Sequence, residues 1–217
     1  MKLLSRMFKL LRFSKITQPF LQLVNRQVDE DIFKSPAFKG GKKWLTMKRS
    51  HDPENPEDDG FFFVERLGKD SVAFLLWDGN QPEAPFMILH QYSSPYARFL
   101  QGAFTGSLEK PDVDLKQHLI EEAKEEAGFT VDTDRIIYLG KEQVGSSTNE
   151  EVHLFLIDIT GMEQEVKEPE NIFEENMDRR FLSSKDIFNP DQHIEWKAKL
   201  IVILSLIFFK KESLEAE

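Results

Sequence analysis

The sequence predicts an α+β fold. Short apolar runs bounded by turn residues read as strands: FFFVERL (61–67), SVAFLLW (71–77) and FMILHQY (86–92), with Asp78-Gly79 marking a turn between the last two. Residues 115–127 have helical periodicity, with Leu119, Ile120, Ala123 and Ala127 on one apolar stripe. The run 200–209 is apolar apart from Ser205. It falls short of the roughly 20 residues a bilayer span needs, and reads as a buried helix continuing from about Asp191.

The remaining elements follow the same logic. HDPENPEDDG (51–60) is a loop by its prolines, acids and glycine. Asp114 is placed to cap the 115–127 helix, and Gln117 three residues on completes a capping-box pattern. Gly128 suits the left-handed position that ends a helix. Further strands are expected near 136–144, 151–159 and 179–182, the last leading into a short helix. Lys210 and Lys211 suit the C-terminus of the final helix. The expected organisation is a basic extension (1–50), an acidic linker loop (51–60), one domain (61–211) and a tail (212–217).

Composition narrows the chemistry. The 217 residues include 19 phenylalanines and no cysteine. Disulfides and thiolate-bound zinc or iron–sulfur sites are thereby excluded. A cytoplasmic location is expected, with organelle targeting through the N-terminus as the alternative. The net charge of −10 is uneven, because residues 1–50 hold 12 basic and only 3 acidic side chains. The acidic remainder argues against nucleic-acid binding by charge. MKLLSRMFKLLRFSK interleaves Leu and Phe with Lys and Arg at helical spacing. Such a helix suits a membrane surface, a targeting role, or packing on the body or a partner.

The chemistry concentrates at Glu121, Glu122, Glu125 and Glu126, in IEEAKEEAGF. Taken alone, such a run reads as a solvated helix face. Glu122 and Glu126 are four apart, one above the other, and their like charges weaken the helix. A hard divalent cation between them turns that repulsion into binding. Glu125 lies on the next row, and Glu121 points further toward solvent. Nothing in the chain resembles a Ser-His-Asp triad, a Walker loop or a Rossmann glycine motif. His153, in a strand, reads as structural.

GSLEKPDVDLKQHLIEEAKEEAGF (106–129) resembles the box of the Nudix hydrolases: glycine, five residues, Glu, seven residues, then Arg-Glu-apolar-x-Glu-Glu-x-Gly-apolar. The second half matches at every position but the first, where Glu121 stands for Arg. In the first half Gly106 sits one residue too far upstream, and Asp112 or Glu109 substitutes for the early Glu. FMILHQYSSPY (86–96), IIYLGKEQVGSSTNEEVHLFLIDIT (136–160) and FEENMDRRFLSSKDIF (173–188) resemble, in order, segments of the ADP-ribose pyrophosphatase branch. That branch's E-L-P-A-G lead-in appears as GAFTG (102–106), without the glutamate.

The resemblance, over about residues 60–210, implies a Nudix fold: an α/β/α sandwich with a mixed sheet between helices, plus an N-terminal extension. It implies Mg²⁺-dependent hydrolysis, with Mn²⁺ as a substitute, of a nucleoside diphosphate linked to another group, ADP-ribose or a nucleotide sugar foremost. Glu122 and Glu126 are the metal ligands, joined by the main-chain carbonyl of Thr105. Glu125 completes the site or orients a water. The base comes from a late acidic loop, Glu174 or Glu175, with Glu170 as a weaker candidate. Gly106, Tyr92, Glu150 and Glu151 are expected on the substrate side, with Tyr96 a further stacking candidate. The branch is commonly a homodimer. Glu121 in place of Arg also admits a second reading, a ligand-binding or regulatory module with little or no hydrolysis.

Overall fold

Ser71–Trp77 is apolar on every residue but its first, the pattern of a strand covered on both faces. It is the centre of the larger of two sheets. The computed structural model describes residues 28–34, 45–55, 57–66, 70–83, 85–93, 96–108, 113–165 and 177–215. The expected sites Glu109, Asp112, Glu170, Glu174 and Glu175, and the basic segment 1–27, lie outside these residues.

The chain forms two compact units. The first comprises the described part of Met1–Leu67 with Gly145–Asn149. Its antiparallel sheet runs β1 (Val28–Lys34), β2 (Leu45–His51), β3 (Phe61–Arg66). Lys48 and Glu65 pair across β2 and β3 at 2.8 Å. The acidic segment 51–60 connects β2 to β3, so the break between sheets falls after β3, not before it. There Asp58 accepts from the main-chain N–H groups of Asp52 and Gly60, which holds its carboxyl below the usual range.

The second unit carries β4 (Ser71–Trp77), β5 (Phe86–Ser93), β6 (Arg98–Gly102), β7 (Phe104–Ser107), β8 (Ile136–Gln143), β9 (Glu151–Asp158) and β10 (Asp178–Leu182). The sheet order is β10-β5-β4-β9-β8, with β6 against β5 and β7 against β4. The β4–β9 pair is parallel and the other pairs are antiparallel, so the sheet is mixed.

Side chains alternate across a strand, and the alternation along β4 splits the core in two. Val72, Phe74 and Leu76 face Leu119, Ala123 and Ala127, the apolar stripe of helix α1 (Leu115–Glu122) and the turn that extends it. Ala73 and Leu75 face Ile187 of α2 (Ser184–Ile187) and Ala198, Ile201 and Val202 of α3 (Trp196–Glu215). The unit is therefore a helix–sheet–helix sandwich. Phe74 and Phe104 stack at 5.3 Å inside the first layer.

Two helices differ from expectation. Helix α3 begins at Trp196, not Asp191, because Ile194 bridges to Gln101 and the Glu195 N–H bonds the Gln101 carbonyl at 2.8 Å. Nor is α3 buried all round: Ile203 and Ile207 are 43% and 59% exposed, while the Ser205 hydroxyl is buried and donates to the Ile201 carbonyl. No helix among the described residues is long and apolar enough to cross a membrane. At the start of α1, Asp114 accepts from the N–H groups of Lys116 and Gln117. The Gln117 side chain donates to Glu121 at 3.1 Å, so that half of the expected capping box goes elsewhere.

Candidate metal and phosphate site

The acidic helix is α-helical to Glu122 and then widens into a π-helical turn, Ala123–Ala127. Such turns interrupt helices often at functional positions. The turn closes at Gly128, which is left-handed at φ 77°. The N–H groups of Gly128 and Phe129 both return to the Ala123 carbonyl. A Cβ on Gly128 would lie 2.4 Å from the Glu165 carbonyl oxygen, so the position is closed to side chains as well as strained for them.

Glu121 and Glu125 are exposed, whereas Glu122 and Glu126 are partly buried against β7. The Thr105 N–H points to Glu126 Oε2 at 3.4 Å. Gly106 presses on Glu122: a Cβ there would meet its Cδ and Oε1 at 2.5 Å. The two carboxylates thus rest on adjacent residues of one strand. Burial pushes Glu122 up to about 7, helped by the charges of Glu125 and Glu121. Burial also pushes Glu126 up to about 8, with the Glu122 charge adding to it and the Thr105 N–H and Arg179 opposing it.

Two neighbours of this pair are not signalled by the box. His118 sits one turn before Glu122, its Nε2 3.2 Å from Glu122 Oε1. The contact lacks hydrogen-bond geometry, leaving that buried nitrogen without a hydrogen-bond partner among the described residues. Burial lowers its pKa while Glu121 and Glu125 raise it. The i, i+4 spacing to Glu122 was the available signal. The second neighbour is Arg179 on β10, whose Nε–H donates to the Glu126 main-chain carbonyl at 2.6 Å. It lies 53 residues away in the chain, and no local pattern announces it.

The remaining expected residues are spread over the sheet. Tyr92, on β5, is half exposed and meets Phe99 edge-on at 5.6 Å. Glu150 is buried and accepts from the Ser71 hydroxyl at 2.7 Å. Glu151 pairs with Lys141 at 2.6 Å, a bond that lowers its pKa. His153 lies 3.4 Å from the Tyr138 hydroxyl.

The donor set suits a hard cation. Two carboxylates forced together and partly dehydrated are what a divalent ion relieves. No group of three or more His, Cys, Asp or Glu among the described residues converges on one point. That is compatible with Mg²⁺, which is held by one or two carboxylates together with waters and substrate phosphates rather than by a closed protein cage.

No protein-family model matches the chain. No curated protein matches it by sequence. By structure it is similar to a protein described as an ADP compounds hydrolase, with a TM-score of 0.63 and 13% identity over 85% of this chain and 93% of that one. At that identity the likeness speaks for fold alone: the chain has a Nudix hydrolase fold.

Proposed function

We propose that the protein is a metal-dependent pyrophosphohydrolase acting on a nucleoside diphosphate linked to a further group, ADP-ribose or a nucleotide sugar foremost. One observation carries the reading: Glu122 and Glu126, partly buried side by side on Thr105 and Gly106, with carboxyl pKa values raised to about 7 and about 8. Glu122, Glu126 and the Thr105 carbonyl would hold Mg²⁺. A bound Mg²⁺ neutralises phosphate charge and acidifies a water. The carboxylates fix where the pyrophosphate lies. Water adds to one phosphorus, the anhydride P–O bond breaks, and two phosphate monoesters leave. Glu125, Glu174 or Glu175 takes the water's proton. Arg179, through the Glu126 carbonyl, does the holding that an arginine at position 121 would otherwise do.

A second reading is a binding or regulatory module with little hydrolysis. It is favoured by Glu121, whose exposed carboxylate adds negative charge beside the pair and, among the described residues, accepts a hydrogen bond only from Gln117. The test is phosphate release, coupled to a phosphatase, from ADP-ribose, NADH, diadenosine polyphosphates, nucleotide sugars and nucleoside triphosphates, with and without Mg²⁺. Turnover of one compound, lost in EDTA and in Glu126→Gln, establishes the hydrolase. Folded protein that turns over none of them, yet binds one, establishes the module.

A further inference from the structure

The strand on which Glu122 and Glu126 rest also borders a cavity. It has a volume of about 520 Å³ and lies over the β5–β6 hairpin and the segment entering α3. That volume is within the usual range for small-ligand sites, roughly 300–1,000 Å³. One wall includes Thr105, whose N–H faces Glu126, so the cavity and the proposed metal site share that residue.

Its wall chemistry is basic and aromatic. Arg98, His193 and Lys197 line it, against a single carboxylate, Glu195. Glu195 is already paired with Lys197. Arg98 makes no ion pair among the described residues and lies over the Tyr96 ring, 5.8 Å from its centre. Lys197 lies at the same distance over Trp196. Tyr96 is 65% exposed and Trp196 40% exposed, which leaves aromatic surface facing water on both, with the unpaired guanidinium of Arg98 beside Tyr96.

The wall is also shaped. Gly102 lines it without a side chain, and a Cβ there would come within 2.7 Å of Glu195 Oε2. Position 102 is where the lead-in lacks its glutamate. A carboxylate occupies that space all the same, brought by the chain just before α3, and it fixes Lys197 at the cavity wall.

We propose that this cavity binds the nucleoside monophosphate half of the substrate. A base stacks on Trp196 or Tyr96, and the phosphate is drawn by Arg98 toward Thr105. An aromatic platform beside guanidinium and ammonium groups suits a ligand that is flat at one end and anionic at the other. The choice of a nucleotide rests on the hydrolase reading, but binding here needs neither metal nor turnover.

The test is calorimetric titration of the full chain in EDTA with AMP, ribose 5-phosphate and inorganic phosphate. Wild type is expected to bind AMP saturably and at least tenfold more tightly than ribose 5-phosphate. Trp196→Ala should weaken AMP roughly tenfold and leave ribose 5-phosphate unchanged. Arg98→Ala should weaken both, with a smaller dependence on salt. Both residues are exposed, and melting curves confirm that the variants fold. The proposal is overturned if AMP fails to saturate, if ribose 5-phosphate binds as well as AMP, or if both variants bind AMP like wild type. AMP binding in a protein that turns over nothing keeps the cavity and removes the hydrolase. Turnover indifferent to Trp196→Ala and Arg98→Ala does the reverse.

Discussion

Gly106→Ala isolates the contact on which the site is built. The added Cβ would lie 2.5 Å from Glu122 Cδ and Oε1, where ordinary contact begins at 3.4 Å. One of the two groups must retreat by roughly 0.9 Å. Gly106 is paired with Val72 in the sheet and has little room to move, so the carboxylate yields. Displacing a reacting constellation by about 1 Å costs on the order of a hundredfold in rate. Overpacking of this kind also costs about 1–3 kcal/mol of stability. The assay is kcat on the substrate found by the phosphate-release screen, with Mg²⁺ affinity by calorimetry and melting in EDTA as readouts independent of turnover. A rate and a Mg²⁺ affinity both within twofold of wild type would show that Glu122 is not held against β7 in the working protein.

The other predictions concern charge and capping. Glu122 and Glu126 keep their protons in the folded protein to about pH 7 and 8, whereas an ordinary glutamate loses its proton near 4.5. Above 4.5 folding therefore takes up protons, so apo stability should fall as pH rises from about 4.5 to 8, with Mg²⁺ offsetting the fall; melting temperatures across pH, with EDTA or Mg²⁺, check both signs. Glu126→Gln should abolish metal-dependent turnover yet raise the apo melting temperature at pH 8; a lower one would contradict the burial argument. Arg179→Met removes a donor from the Glu126 carbonyl and should cost about 1.5–3 kcal/mol, with a several-fold higher Mg²⁺ requirement that Arg179→Lys restores in part; an unchanged requirement removes Arg179 from the site. Asp114→Ala deletes the cap of α1 and should cost about 1 kcal/mol in urea unfolding, with little effect on Mg²⁺ affinity.

The strands that sequence made visible are those with several apolar residues between turn signals. β3, β4, β5, β8, β9 and β10 all have bounds within a residue or so of expectation, with β4, β5 and β9 the most apolar. β6 and β7 escaped notice for a physical reason. Arg98–Ser107 spends two of its ten positions on glycine, and its pairing switches from β5 to β4 across Ala103. No single face is buried throughout, so no period appears. Helix α3 was legible as a helix, but its burial was not. An apolar run does not say which of its faces a neighbour covers.

The box itself divides the same way. Burial of Glu122 and Glu126 with exposure of Glu121 and Glu125 follows from helical spacing, because the apolar stripe fixes which face meets the sheet. What holds the pair was not legible, because each support is backbone or empty space. Thr105 contributes an N–H, Gly106 contributes a missing side chain, and Arg179 grips a main-chain carbonyl. None of these constrains a side-chain pattern around the helix. On the proposed reading, a glutamate at position 121 and a glycine at position 106 are both compatible with an E-x₂-E-E core held in this way. On the same reading, the cation missing at position 121 is supplied by Arg179 of β10, 53 residues along the chain. Restoring the arginine alone, as Glu121→Arg, should then add little to Mg²⁺ affinity in wild type and much in Arg179→Met, since the two cations would serve one carboxylate pair. Equal gains in both backgrounds would mean that Arg179 and position 121 act on different parts of the site.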